Sequence, residues 1–126
     1  MIVDYERLLH EHVELVNRLS TLLERLSEEE NTEDTEREII HVIWRLQILR
    51  RRVKKSLEEL EPSTDTLTLL EYYSIVGLDE EKEYLEKILD YATKGYKFLR
   101  SHVDEIAEYI RELNEVKAKI ESILGY

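Results

Sequence analysis

The histidines are the residues of this chain best suited to acid–base or metal chemistry. There are four, His10, His12, His41 and His102, and there is no cysteine. Helical bundles that bind two metal ions take a Glu-x-x-His motif from each of two helices, because that spacing puts both ligands on one helix face. The segment Glu38–His41 has this spacing, but the other three histidines lack a glutamate three residues earlier. One motif does not complete a site, so the sequence predicts no bound metal and no cofactor.

Other signs of chemistry are also incomplete. The string Leu9-His10-Glu11-His12 resembles the opening of hemerythrin-type helices, which would imply a metal-binding bundle, but the later histidine-rich segments of that family have no counterpart here. There is no glycine-rich phosphate-binding loop. His12 and His102 both fall on apolar helix seams. Such histidines are either a buried metal-binding or pH-sensitive pair or neutral core residues with hydrogen bonds, and we favour the second interpretation. The protein is predicted not to be an enzyme.

Charge is concentrated in two segments of a chain whose net charge is −11. From Glu28 to Glu38 seven acids and one base give −6, whereas from Arg45 to Lys55 six bases and no acid give +6. A basic cluster of this kind is typical of a site for nucleic acid or an acidic protein, although it also suits the C-terminal end of a helix. The net negative charge opposes general binding of nucleic acid. The candidate residues of this site are Arg50, Arg51, Arg52, Lys54 and Lys55.

The longest periodic pattern runs from Asp79 to Leu124. Its apolar and small residues recur in alternating steps of three and four, which is the period of a helix packed lengthwise on partners. Gly95 lies on the same seam, and no capping signal follows it. We therefore predict one helix that continues through Gly95. The alternative is a break at Gly95, which would give four helical legs of similar length and an up-down-up-down bundle.

Two further long helices are predicted before this stretch. The first runs from Asp4 to Ser27 and is followed by a polar, acidic loop. The second runs from Thr35 to Pro62. Thr35 and Glu38 have the spacing of a capping box, and proline cannot continue the hydrogen-bond ladder of a helix.

A short helix is predicted from Leu67 to Val76. Gly77 then suits the left-handed position that ends a helix, and Asp79 suits the N-cap of the next helix. Strand-like alternation is absent. Together these elements predict a single domain over residues 1–126 with an all-α fold, an antiparallel helical bundle of three to four helices with a long C-terminal helix.

The second helix has apolar residues on two faces. Ile40, Trp44 and Ile48 repeat every four residues on the side away from the main seam, and Arg51 and Lys55 extend the same stripe. Exposed apolar patches commonly mark interfaces, and tryptophan is enriched among the residues that dominate binding. These five residues are therefore the candidate protein-interaction site. The alternative is that another helix of the same chain covers them.

Composition bounds the setting of the protein. No apolar run is long enough to span a membrane, and no signal-peptide pattern is present, so we expect a cytoplasmic protein, or a virion protein if its source is viral. Abundant glutamate, acid–base pairs spaced four residues apart and scarce Asn, Gln and Cys are typical of hyperthermophile proteins.

The predicted function is non-enzymatic: an interaction or structural protein that acts through helix–helix contacts with a protein partner or with itself as a homo-oligomer. One alternative is a regulator that binds nucleic acid or an acidic protein surface through the cluster Arg50–Lys55. A second alternative is a metal-binding helical bundle.

Overall fold

Helices account for nearly all of the computed structural model, which describes residues 4–60 and 63–126. Within these residues there is no strand, and the prediction of an all-α bundle with a long C-terminal helix is confirmed. The elements are α1 (Tyr5–Glu28), α2 (Glu33–Leu57), α3 (Thr64–Tyr72), a π-helical segment (Tyr73–Asp79), α4 (Glu80–Thr93), α5 (Lys97–Arg100) and α6 (Val103–Leu124). They form four legs: α1, α2, a third leg from α3 through the π-helical segment to α4, and a fourth leg from α5 to α6.

The first two legs form an antiparallel hairpin. At one end the Tyr5 hydroxyl donates to Ser56 Oγ over 2.8 Å, and at the other end Arg18 pairs with Glu38. The residue numbers fall along α2 as they rise along α1, which fixes the antiparallel direction. Leucines and isoleucines line the shared face because they recur at helical spacing, and among them Leu19, Leu22, Ile39 and Ile43 are fully buried.

The last two legs form a second antiparallel hairpin. The Tyr126 hydroxyl donates to Glu71 Oε1 over 3.2 Å at one end, and Arg100 Nε donates to the Ala92 carbonyl over 3.3 Å at the other. The core of this hairpin includes Leu85, Ile88, Ile106, Leu113 and Ile120, all fully buried.

The two hairpins pack so that α2 lies beside α6 and α1 lies beside the third leg. Trp44 on α2 bonds to Glu105, and Lys54, further along α2, bonds to Glu115. The residue numbers rise together, so α2 and α6 run in the same direction. α2 and the third leg follow each other in the chain but occupy opposite corners of the bundle.

Gly95 breaks the helix that was predicted to run from residue 79 to residue 124. Its φ of +111° lies in the region that favours glycine, and α4 ends just before it at Thr93. The prediction of a continuous helix is wrong, and the alternative of four legs is right. The cap that allows the break comes from another leg. Glu36 on α2 is 4% exposed, and its Oε1 accepts the backbone N–H of Leu99 in α5 over 3.2 Å.

The predicted break at residues 77–79 does not occur. Gly77 does not have a positive φ, and Asp79 has helical angles of −65° and −42°. Both residues serve tertiary contacts instead of caps. A Cβ on Gly77 would lie 3.1 Å from Tyr73 Cδ2 and 3.3 Å from His12 Cδ2, so glycine lets these rings approach the helix. Asp79 pairs with Lys117 on α6.

The start of α2 also differs from the predicted capping box. The helix begins at Glu33, before Thr35. The Thr35 hydroxyl donates to Glu29 Oε2 over 2.7 Å, and Glu38 pairs with Arg18 on α1. Both residues of the predicted box therefore bind groups outside the first turn. Pro62, which was predicted to end this helix, lies outside the described residues.

Candidate functional site

A layer of polar side chains crosses the centre of the bundle. His12 and Glu81 have no solvent exposure, Arg50 is 1% exposed and Tyr73 is 3% exposed. His12 comes from α1, Arg50 from α2, and Tyr73 and Glu81 from the third leg. Charged groups are rarely buried unless they are paired. The buried Arg50 and Glu81 therefore require partners within the core.

Each member of the layer contacts another. Arg50 Nη1 donates to Glu81 Oε1, which forms a buried ion pair between opposite corners of the bundle. His12 Nε2 lies 3.2 Å from Glu81 Oε2. The Tyr73 hydroxyl and His12 Nδ1 are 3.2 Å apart, and the two rings meet edge to face with centroids 4.8 Å apart. Four atoms of the layer nevertheless have no hydrogen-bond partner among the described residues: His12 Nε2 and Glu81 Oε2, which lie close together without hydrogen-bond geometry, and Nε and Nη2 of Arg50.

The π-helical segment brings Tyr73 and Glu81 to this layer. Tyr73 is its first residue, and Glu81 lies two residues beyond its end. A π-helical turn adds residues relative to an α-helix and so changes which side chains face the core. Such turns are rare and often occur at functional sites.

Burial sets the charge state of the layer. Burial and the nearby Arg50 guanidinium hold the pKa of His12 well below its usual range, although the Gly77 backbone opposes this shift. Burial also lowers the pKa of Arg50, to about 10, so Arg50 stays charged at neutral pH. Burial raises the pKa of Tyr73. The layer therefore contains one ion pair, a neutral imidazole and a neutral phenol. The acid–base groups of this layer are at most 3% exposed.

His102 occupies a different environment from His12. It is half-buried at the start of α6, and its Nδ1 lies 2.7 Å from Glu105 Oε2. It also packs edge to face on Phe98, with ring centroids 5.0 Å apart. His12 instead bonds to Tyr73 in the core, as expected for a neutral, hydrogen-bonded core histidine.

The Glu-x-x-His motif of the sequence does not assemble a metal site. Glu38 pairs with Arg18 and Arg25, whereas His41 is exposed and packs edge to face on Trp44 with centroids 5.4 Å apart. In residues 4–60 and 63–126 no three His, Asp or Glu side chains are grouped to hold a metal ion.

The predicted interaction stripe on α2 is partly core. Ile40 is 2% exposed, so it does not belong to a surface. Ile40 is covered because the chain turns at Gly95 and α5 then packs across the N-terminal half of α2. The hydrogen bond between Glu36 and Leu99 marks this contact. Trp44 is 37% exposed and Ile48 is 52% exposed.

The exposed stripe of α2 consists of His41, Trp44, Arg45, Ile48, Arg52 and Lys55, and we call it the outer face of α2. The predicted interaction stripe lacked His41, Arg45 and Arg52, the last of which was predicted only for the polyanion site. Exact i, i+4 repeats drift around a helix by about 40° per step, because four residues at 3.6 per turn exceed one turn. A stripe drawn through steps of both three and four would have found them.

Trp44 is held in place by hydrogen bonds beneath it. Its Nε1 donates to Glu105 Oε1 over 2.6 Å, and its ring packs edge to face on His102 with centroids 6.0 Å apart. Tyr109 also donates to Glu105. Although burial raises the pKa of Glu105, hydrogen bonds from Tyr109, His102 and Trp44 lower it overall. Glu105 is therefore ionised at neutral pH and fixes Trp44 as a half-exposed, rigid apolar plate.

The basic cluster of the sequence does not form one surface. Arg50 is buried in the polar layer, which removes it from any polyanion site. Arg51 Nη2 donates to Glu112 Oε1 over 2.9 Å, and Lys54 donates to Glu115 Oε2 over 3.2 Å. A helix turns about 100° per residue, so neighbouring positions in this run point into the core, towards α6 or outwards.

Three cations on the outer face remain without an ion-pair partner among the described residues, namely Arg45, Arg52 and Lys55. They border two adjoining surface depressions between α1 and α2, of about 500 and 480 Å³, which share Glu11 and Arg52. Leu8 lines one depression, and Ile48 lines the other. Asp4, Glu11, Glu14 and Glu59 also line these depressions. The outer face thus combines apolar groups with cations that make no direct ion pair within the described residues.

No protein-family model, curated protein or solved structure matches this chain. None of the helices in the described part of the chain has the combination of length and apolar character needed to cross a bilayer.

Proposed function

We propose that this protein is a non-enzymatic interaction protein that binds an acidic protein surface through the outer face of α2. The observation that supports the proposal is the pairing of exposed apolar groups, Trp44 and Ile48, with cations that have no partner within the described residues. In a chain of net charge −11, free cations are expected to find internal carboxylates, as Arg51 and Lys54 do.

The chemistry of the face defines the partner. An apolar plate next to Arg45, Arg52 and Lys55 fits a protein segment that presents apolar side chains beside carboxylates. Binding would bury Trp44 and Ile48, which favours association through the hydrophobic effect. The cations would fix orientation and partner choice, since complementary charge mainly confers specificity and speed of association.

Nucleic acid is the less favoured partner. Of the five residues of the predicted polyanion site, Arg50 is enclosed and Arg51 and Lys54 are neutralised by α6, so two remain free, Arg52 and Lys55. Affinity for a polyanion depends on how many phosphates are neutralised. Two free cations on an acidic protein support weak binding, and we expect no tight duplex binding at physiological salt.

Photo-crosslinking tests the proposal directly. Ile48→p-benzoyl-phenylalanine places a reactive group on the outer face in the full-length chain, expressed in its natural cells. The matched control is Glu86→p-benzoyl-phenylalanine, at an exposed position of α4. We expect a protein adduct from position 48 that is absent from position 86 and is lost when Arg52 and Lys55 are changed to glutamate. Mass spectrometry of the adduct identifies the bound segment and its acidic residues.

Two results would overturn the proposal. An adduct that nuclease treatment removes would assign the face to nucleic acid, the alternative function. Equal adducts from positions 48 and 86, or none from position 48, would show that the outer face is not an interaction surface.

A further inference from the structure

Helix α2 carries opposite charges at its two ends. The segment from Glu28 to Glu38 has a net charge of −6, and the segment from Arg45 to Lys55 has a net charge of +6. At the basic end Arg45, Arg52 and Lys55 have no ion-pair partner within the described residues, and at the acidic end Glu28, Glu30 and Asp34 likewise have none. Charges of both signs without an ion-pair partner in the described residues therefore remain on α2, in the turn before it and on the last residue of α1.

Of the acidic set, Asp34 lies on α2, on the same side of the helix as the basic set, whereas Glu28 is the last residue of α1 and Glu30 lies between the two helices. Asp34 and Arg52 are separated by about five whole turns at 3.6 residues per turn, so their side chains leave the helix in the same direction. His41, Trp44, Arg45 and Ile48 lie on this side between them. The midpoint between Asp34 and Arg52 falls beside Trp44.

From this arrangement we infer that the partner of the outer face of α2 is a second copy of this chain, packed antiparallel across a two-fold axis near Trp44. The inference rests on the proposed function of that face. In this arrangement the basic end of each α2 meets the acidic end of the other, and Trp44 and Ile48 of both copies form the apolar centre. A parallel arrangement would place like charges opposite each other, which is unfavourable. Closed two-fold contacts use the same patch on both copies, and this patch is complementary to itself.

Two opposing effects set the expected strength. The net charge of −11 per copy repels a second copy at long range, but at physiological salt such repulsion is screened beyond about 8 Å. The contact involves one helix face, so it is small, and small interfaces are weak. We expect a dimer that dissociates at roughly micromolar concentrations.

Charge reversal tests the pairing of opposite ends. The mass of the full-length wild type, measured by sedimentation across roughly 1 µM to 1 mM, should rise from monomer to dimer. The double variant Arg52→Glu, Lys55→Glu should dissociate at least about tenfold more readily, because the two-fold axis repeats each unfavourable contact. Glu30→Lys, Asp34→Lys should do the same. The control for the first variant is Lys87→Glu, Lys94→Glu, on α4 and at its C-cap, which lowers the net charge by the same amount and should leave the dimer intact.

Mixing the two variants gives the decisive result. One chain then carries acidic groups at both ends of the face, with Arg45 unchanged between them, and the other carries basic groups at both ends, so like charges meet when either chain pairs with its own copy. In a mixed dimer both ends pair opposite charges, and we expect a heterodimer at least as stable as the wild-type dimer. Circular dichroism of each variant alone confirms that it is folded.

Several results would overturn the inference. They are a wild type that stays monomeric up to the highest concentration, a dimer that resists both charge reversals, and mixed variants that fail to associate. Crosslinking from position 48 separates this failure from that of the proposed function. An adduct with a different, acidic protein would refute the second copy and keep the interaction face, whereas loss of any protein adduct would refute both.

Discussion

At the scale of single residues, His12 gives the protein a defined dependence of stability on pH. In the folded state burial holds its pKa far below the value of 6.5 that applies in the unfolded chain. As the pH falls below 6.5 the unfolded state takes up this proton first, so the free energy of unfolding decreases. The stability associated with the neutral imidazole is fully present above 6.5 and is lost at up to ~1.4 kcal/mol per pH unit below it.

Replacing His12 should weaken the dependence of the unfolding free energy on pH in the acidic range. His12→Gln removes the titrating group, and we expect the difference in unfolding free energy between about pH 7 and about pH 5 to shrink by roughly 1–2 kcal/mol. Urea denaturation at both pH values measures it. His10→Gln is the control, because it makes the same substitution at a side chain that is 73% exposed. An unchanged dependence in His12→Gln would mean that His12 binds protons equally in the folded and unfolded states, which would contradict a lowered pKa in the folded protein.

At the scale of elements, the turn at Gly95 depends on backbone conformation alone. Its φ is +111°, and a Cβ at this position would meet no atom within 4 Å. Gly95→Ala should therefore destabilise the protein through the backbone, by roughly 1–2 kcal/mol, as measured by urea denaturation. D-alanine, introduced by peptide ligation, prefers positive φ and should restore or exceed wild-type stability. A fully stable Gly95→Ala would contradict the break in the helix.

At Gly77, in contrast to Gly95, the effect of an added methyl group depends on the neighbouring side chains and not on the backbone conformation. In an exposed helix Gly→Ala stabilises by about 1 kcal/mol. Here the new Cβ would lie 3.1 Å from Tyr73 and 3.3 Å from His12, two buried rings joined by a hydrogen bond. We expect Gly77→Ala to destabilise by about 1–3 kcal/mol through overpacking. In a Tyr73→Ala background the same change should cost much less, and an equal cost in both backgrounds would exclude the ring contact as its cause.

The elements also show what local sequence can predict. Apolar periodicity identified the first two long helices and the buried seams of α4 and α6, although not the break between these two. Ser63, whose residue type is a common N-cap, caps α3, with its Oγ accepting the Thr66 N–H over 3.2 Å. Both kinds of signal act within one or two turns. The capping signals failed where a distant residue decided the outcome. Glu36 of α2 caps α5 beyond Gly95. Asp79 forms an ion pair with Lys117 of α6 and does not cap a helix.

In the candidate site, too, features set by local sequence could be predicted, and features set by contacts between legs could not. The exposed Trp44 and Ile48, and the charge segregation along α2, could be predicted because they depend on composition and helix periodicity. The burial of Arg50 and of Ile40 could not, because it depends on which leg lies opposite each residue. Glu81 was missed as a member of the polar layer, since among 23 glutamates nothing in its local sequence distinguishes it.

At the scale of the whole molecule, the Arg50–Glu81 pair links opposite corners of the bundle. Removing one partner leaves an uncompensated charge in the core, so Arg50→Met or Glu81→Leu alone should cost about 3–5 kcal/mol. Removing both replaces the pair by apolar groups, and the double variant should lose much less than the sum of the single variants. Denaturation of the four proteins in this cycle measures the coupling. Additive losses would show that the two charges are stabilised independently.

The polar layer also has a consequence for the order in which the bundle assembles. Its contacts, between His12 and Glu81, between Arg50 and Glu81 and between His12 and Tyr73, all join the first hairpin to the second. Each hairpin can form through contacts that are close in sequence, which is fast. Arg50 and Glu81 must lose their bound water when the hairpins dock, which costs free energy. The ion pair between them offsets this cost only after both side chains are in place. Docking is therefore expected to be the slow event, and variants that replace both charges by apolar residues should fold faster than the natural chain.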